Sequence, residues 1–204
     1  MDPTDTEGQV ALRLAKAAYA LLEPIAAAQP FVAHWPETIV LRSTPPETLP
    51  ALRWLDGASA FSHPTTSRLM AMLAETAAEL AWRQSYAAAD FGPSFLERYG
   101  WTELVGPSGP IGSKRMTCGF LLLGPDLHYP PHAHEAEELY LPLAGTALWQ
   151  RGNGAPSLVP PGTPIYHESW LPHAMWTRTE PLVALYCWRG GTLGAKPQIM
   201  SRAL

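Results

Sequence analysis

Charge is scarce in this sequence. Only 16% of its 204 residues are charged, the formal net charge is -4 with histidine neutral, and Lys and Arg form no cluster. A protein that neutralises phosphates needs such a cluster, so nucleic acid is excluded as a partner and a small diffusible ligand is expected. Cysteine is nearly absent. Cys118 and Cys187 lie in the apolar stretches TCGFLLL and ALYCWRG. Two are too few for a disulfide framework in a chain this long, and both read as buried strand residues. Long apolar runs are also missing. The stretch AAYALLEPIAAA is interrupted by Glu23 and Pro24, and the acidic start MDPTDTEGQ has no basic n-region. These absences predict no membrane span, no signal peptide and a cytoplasmic location.

What is abundant points to β structure. Hydrophobic residues make up 47% of the chain, with 22 Pro, 16 Gly and 8 Trp. That composition fits a globular, turn-rich fold of one ordinary domain with an added segment. The pattern changes near residue 100. Residues 1–100 read as a helical segment and residues 101–204 as a β-barrel. Val10, Leu14, Ala18, Leu21 and Leu22 recur at helical spacing, and Pro24 should stop that helix. A Pro-rich connection from Gln29 to Pro50 is expected to cover the barrel mouth as a lid. SHPTTSRLMAMLAETAAELAWRQSY reads as a second helix, capped at Thr65 or Thr66, with Leu69, Met72, Leu73, Ala77, Leu80 and Ala81 as its apolar face. A short helical turn is expected around Phe95–Tyr99. Beyond Gly100, short apolar runs (MTCGFLLL, LYLPLAG, TALWQ, LVALYCW) alternate with Gly and Pro, as in an antiparallel sandwich or barrel of hairpins.

The densest chemistry lies in HYPPHAHEAEELYLPLAG, His128 to Gly145, with three histidines, three glutamates and two tyrosines. His132 and His134 are two residues apart, so on a strand their imidazoles share a face. Glu138 and Tyr140 share a face in the same way. His173, in LPHAMW, offers another nitrogen from a distant strand. Imidazoles plus a carboxylate, with no thiolate nearby in sequence, suit one divalent transition ion: zinc or iron first, with manganese, cobalt and nickel also compatible. His34, His63 and His128 read as ordinary surface or core residues. Glu135 and Glu137 read as solvent-facing, and His167 as a neighbour of the site or a surface residue rather than a ligand.

His132, His134, Glu138 and Gly145 stand at the spacing of the first cupin motif, which this stretch resembles. Gly154, Pro160 and Gly162 fit the opening of the second motif, and His173 is taken as its histidine. The resemblance implies a cupin barrel, a double-stranded β-helix of jelly-roll type. A narrower likeness rests on the helical first half, the run FLLLGPDLHYPPHAHEAEELYLPLAG and the later WLPHAMW. Together they resemble the Q-type bacterial branch of the cupin lyases that cleave dimethylsulfoniopropionate (DMSP). That resemblance implies a metal site of His132, His134, Glu138 and His173, with Tyr140 as a ligand or near-ligand and candidate base. It gives Tyr129 a further role in the site.

The implied reaction is a metal-dependent β-elimination giving dimethyl sulfide and acrylate. A metal-held carboxylate would ease loss of the neighbouring proton, and a nearby cation would favour the phenolate of Tyr140. Aromatic faces hold soft cations, and Tyr129, Trp176 and Trp188 are the expected cage for the sulfonium. Two other readings remain open: a different metal-dependent cupin enzyme such as an iron dioxygenase, or a non-catalytic cupin that binds a small osmolyte. Monomer and homodimer are both compatible with the sequence.

Overall fold

Pro24 sets the first boundary. In the computed structural model, helix α1 (Pro3–Leu22) ends just before it, because a proline ring in the next turn would clash with the helix and remove a donor. Val10, Leu14, Ala18 and Leu22 form one buried stripe along α1. The described residues are 3–200; the first two residues of the acidic start, and residues 201–204 of the expected barrel segment, lie outside them. A single turn, α2 (Gln29–Val32), follows.

The second helix is shorter than its sequence pattern. Helix α3 (Ser67–Thr76) tightens into a 3-10 turn at Ala77–Glu79, and the chain continues as strand β1 (Trp82–Arg83). Trp82 decides this. Its indole is fully buried, its Nε1 donates to the Ala77 carbonyl at 2.8 Å, and its backbone pairs with the barrel. Thr66 occupies the cap position, but its hydroxyl donates to the Leu143 carbonyl at 2.7 Å instead of capping. It therefore ties the helix to the barrel. Two further turns, α4 (Ala88–Phe91) and α5 (Pro93–Leu96), precede the sheet. The turn expected at Phe95–Tyr99 thus lies slightly earlier, and Tyr99 already begins β2.

Eleven more strands follow: β2 (Tyr99–Gly106), β3 (Ile111–Gly112), β4 (Met116–Leu123), β5 (His128–Ala133), β6 (Glu137–Ala144), β7 (Ala147–Arg151), β8 (Ser157–Val159), β9 (Ile165–His167), β10 (His173–Trp176), β11 (Leu182–Arg189) and β12 (Gln198–Ile199). They form two sheets. The larger runs β1-β2-β4-β11-β6-β9, with β3 beside β2, and the smaller runs β12-β5-β10-β7-β8. Facing each other, the two sheets make the double-stranded β-helix of a cupin, with helices added at the N-terminal end.

The larger sheet is buried on both faces. Met116, Cys118, Phe120 and Leu122 of β4 join Leu185 and Cys187 of β11 in one apolar cluster with Leu14, Leu22 and Leu73 of the helices. Leu121 and Leu123 face the other way, into a barrel interior shared with Tyr129, Tyr140, Trp149 and Met175. Double burial explains why MTCGFLLL lacks the apolar–polar alternation of a half-exposed strand. Cys118 and Cys187 are cross-strand neighbours, buried and unbridged, under the helices. Among the described residues no helix is long and apolar enough to cross a membrane.

Gly145 ends β6 at φ +79°, and a Cβ there would fall 1.8 Å from the Pro181 carbonyl oxygen. Both backbone conformation and close approach therefore require glycine. Gly145→Ala should lose about 2 kcal/mol or more of stability, since a strained backbone alone costs about 1–3 kcal/mol. Urea unfolding of the variant against the parent checks this; a change below about 0.5 kcal/mol would contradict the reading.

Candidate metal centre

Two strands of the larger sheet, one of the smaller and the residue just past the end of β5 meet at a buried carboxylate. Glu138, on β6, has no exposed surface. His134 Nε2 lies 2.9 Å from its Oε2, and His173 Nε2 lies 3.2 Å from the same oxygen. Trp188 Nε1, from β11, donates to Oε1 at 2.6 Å. His134, Glu138 and His173 each offer one ligand atom, and the three atoms lie within 4.8 Å of one another.

Backbone carbonyls fix the imidazoles. Nδ1 of His132 bonds the Pro130 oxygen at 2.9 Å, that of His134 bonds Ala136 at 2.9 Å, and that of His173 bonds Leu171 at 3.0 Å. A carbonyl only accepts, so each Nδ1 carries the proton and each Nε2 is left to serve as a ligand. His132 stands beside the triad rather than within it. Its ring centroid is 4.1 Å from that of His173, and its other side is stacked on Tyr129 at 3.9 Å. His167 pairs with Glu138 across β9 and β6 and stacks on His173 at 4.1 Å. It is buried with both ring nitrogens unpartnered, which removes the surface alternative for it.

The charges fit this geometry. Burial opposes protonation of His134, but the Glu138 carboxylate outweighs it and raises the imidazole above its usual value. Burial alone would raise Glu138, yet the two histidines hold it well below the carboxylate range. Burial and the nearby His173 push His132 well down, and burial pushes His167 down to about 2. Neutral imidazoles and an ionised carboxylate form a donor set for a divalent first-row ion. His173 Nε2, buried without a hydrogen-bond partner of good geometry, is the atom whose burial such an ion would explain.

A cavity of about 240 Å³ opens beside the cluster, lined by Tyr129, His132, Glu138, Tyr140, Tyr186 and Trp188, and on its far side by Trp101 and Glu103. Tyr140 is buried; burial first, and the Glu138 carboxylate next, raise its hydroxyl well above the ordinary value of 10. Tyr129 shares a 2.9 Å hydroxyl–hydroxyl bond with Tyr86 and is raised mainly by burial.

Two expectations need correction, those for Trp176 and for the Pro-rich stretch. Trp176 does not line the cavity: it follows inward-facing Met175, so it points outward and stacks on His128 at 4.6 Å. Trp188 does line it, but its indole nitrogen is committed to Glu138, so it braces a ligand as well as forming a wall. No residue from Gln29 to Pro50 borders the cavity; residues 193–197, near the other end of the chain, do. The Pro-rich stretch is pinned elsewhere, with Arg42 donating to the carbonyls of Gly106, Pro107 and Gly109. The sequence reading also missed Tyr86, Tyr99, Glu103 and Tyr186. Only Tyr186 had a local signal, since it shares a strand face with Trp188.

The family model for dimethylsulfoniopropionate lyases matches residues 30–184, which include every candidate ligand. The chain belongs to that family. Among curated members of this lyase family, the chain is 36% identical over 109 residues to dimethylsulfoniopropionate lyase DddQ of Ruegeria pomeroyi, covering 53% of this chain and 54% of that protein. It is 35% identical over 121 residues to the putative lyase DddL of Cereibacter sphaeroides, covering 58% of this chain and 49% of that one. The matched stretch thus spans about half the length of each curated relative. Solved structures agree over nearly the whole fold. A chain from the work on the lyases RdDddP and RnDddQII superposes with a TM-score of 0.88 at 34% identity, covering 95% of this chain and all of that one. The R. pomeroyi DddQ structure gives 0.86 at 27% identity, with 94% and 96% covered.

Two outcomes follow for this lyase-family site. Trp188→Phe keeps the ring against His134 but removes the bond to Glu138, and should weaken zinc binding about 10–100-fold, read by competition with a chromophoric chelator; unchanged affinity would show the indole is only a wall. Protons compete with the ion at His134, whose value is raised. Zinc affinity should therefore begin to fall at a pH above the ordinary histidine value of about 6.5 and keep falling as pH drops. A fall confined to pH below about 5 would oppose it.

Proposed function

We propose that this chain is a metal-dependent DMSP lyase, cleaving dimethylsulfoniopropionate to dimethyl sulfide and acrylate by base-initiated β-elimination. The observation that carries the proposal is the cavity itself. Tyr140 opens into the same space as Glu138 and His132, two residues beyond the carboxylate on the same strand face. Family membership supplies the substrate class, and the R. pomeroyi relative, named a dimethylsulfoniopropionate lyase, supports it.

His134, Glu138 and His173 would hold the ion, with His132 and Tyr140 as further donors beside them; zinc or iron suits these donors first, and manganese, cobalt or nickel also fits. Such an ion supplies Lewis acidity to the substrate carboxylate and a positive charge that favours the phenolate. Tyr140 removes the proton from the carbon next to the carboxylate. The C–H electron pair becomes the double bond of acrylate, the C–S bond breaks, and its electrons leave on neutral dimethyl sulfide. Tyr129, braced by Tyr86 and stacked on His132, walls the reacting carbon and holds the imidazole's orientation. Residues 193–197 and the surrounding aromatic rings restrict water.

Headspace dimethyl sulfide from protein loaded separately with zinc, iron, manganese, cobalt and nickel tests the proposal. Tyr140→Phe should lower turnover about 10²–10⁴-fold, the usual worth of a general base, in folded protein that retains metal. Tyr129→Phe should lower it less. No gas from any folded, metal-bound form would remove DMSP as substrate, and oxygen uptake would then test the dioxygenase alternative.

A further inference from the structure

The cavity has a second acidic wall. Besides Glu138, Glu103 is the one carboxylate among the described residues that lines it. Strand register places it in a row. Glu103 pairs with Gly119, Gly119 with Tyr186, and Tyr186 with Tyr140. Glu103 and Tyr140 are thus three strand spacings apart, roughly 14 Å along the sheet backbone, with Tyr186 between them. A register shift after Glu103 turns the following residues toward the helices, leaving Trp101 and Glu103 facing the cavity.

Glu103 is 8% exposed. One oxygen, Oε1, accepts from the Ser108 and Gly109 backbone N–H groups at 2.7 and 2.6 Å. Oε2 has no such bond among the described residues. No cation pairs with it there either. Arg42 and Arg83 lie near enough to be felt, but their guanidinium groups are bound to loop carbonyls. Lys196, the one Lys or Arg among the described residues that lines the cavity, is paired with Asp90 at 3.1 Å. A buried carboxylate with half its acceptors satisfied and no cation in direct contact is costly, and an arriving cation offsets that cost.

We propose that Glu103, with Trp101 and Tyr186, forms the subsite for the cationic end of the ligand: a small aliphatic onium group, sulfonium or quaternary ammonium, two carbons from a carboxylate. This rests on the reading that the ligand's carboxylate goes to the His–Glu cluster. The zwitterion then lies across the barrel with each charge facing its opposite. Aromatic walls suit a cation whose methyl groups cannot hydrogen-bond. The Ser108–Gly109 bonds alone would account for any acceptor at this position; the charge is what a cationic ligand needs.

Calorimetry with two isosteric probes, with trimethylamine release from the cationic one checked, separates charge from shape. 3-(Trimethylammonio)propanoate and 4,4-dimethylpentanoate differ only in having N⁺ or carbon at the branching atom. Zinc-loaded wild type should prefer the cation about tenfold, the order expected for a desolvated charge and aromatic contacts. Glu103→Gln keeps an acceptor for Ser108 and Gly109 but removes the charge. It should abolish the preference by weakening the cation, with the carbon probe unchanged within about twofold. Equal loss of both probes would assign Glu103 a structural role only, and an intact preference, or none in wild type, would overturn the subsite. If the Gln variant does not fold, Glu103→Asp must still prefer the cation, and a folded, zinc-bound Asp variant without preference overturns the proposal. A preference erased by Gln in a protein that releases no dimethyl sulfide would leave the subsite standing and remove only the reaction.

Discussion

A carboxylate without solvent must find its partners inside the protein, and Glu138 is such a group. Burying an unpaired charge in an apolar barrel costs several kcal/mol, so the fold is committed to supplying donors on every side. His134 and His173 approach one oxygen, and Trp188 approaches the other. These three come from different segments. The Trp188 bond requires β11 beside β6, and the His173 contact requires the smaller sheet to face the larger one. His132 and His173 are themselves register partners on β5 and β10. The centre is therefore the point at which the two sheets are indexed against each other, and a slip of one residue in β6 would replace Glu138 with Leu139.

The larger sheet separates stability from chemistry. Its outer face carries Met116, Cys118, Phe120, Leu139, Leu141 and Cys187 under α1 and α3. Its inner face carries Glu103, Thr117, Glu138, Tyr140, Tyr186 and Trp188 around the cavity. The helices thus do for the sheet what a second apolar layer does in a sandwich: they bury one face so that the other can hold polar groups. The Thr66 bond to Leu143 and the Trp82 strand fasten that layer to the edges of the barrel.

What the sequence made legible follows from how local each signal was. His132, His134, Glu138, Tyr140 and Gly145 lie within fourteen consecutive residues that run from β5 into β6, so spacing within that short stretch is enough to single them out, although the two strands belong to different sheets. His173 was found by its flanking motif, but the phase of its four-residue strand was not, and Trp176 fell on the wrong side. The WRQSY end of the expected second helix failed for a tertiary reason: burying Trp82 against the barrel outweighs the helical preference of the preceding alanines. Glu103, Tyr99 and residues 193–197 reach the cavity from parts of the chain far from the histidines, where no spacing rule connects them. The Pro-rich stretch from Gln29 to Pro50 looked like a lid because proline marks a loop, but proline does not say which opening the loop lies over. Arg42 answers that by binding three carbonyls at the edge of β2.

Tyr140 and the cluster are electrostatically coupled, which links the proposed base to the candidate metal site. In the protein alone, burial and the Glu138 carboxylate both hold the proton on its hydroxyl. The group that gathers the imidazoles is thus the same group that keeps the tyrosine inactive. A cation bound by Glu138 offsets that carboxylate and adds attraction for a phenolate, so both contributions to the tyrosine's environment change in the same direction. Tyr129 lies outside this coupling. Its value is set by burial and by the neighbouring tyrosines, with no carboxylate among its main influences. Two tyrosines in one cavity are therefore separated by environment: one is responsive to the charge at Glu138, and the other remains a protonated wall. In the proposed lyase that difference supports Tyr140 rather than Tyr129 as the base, on electrostatic grounds that do not depend on which metal the protein carries.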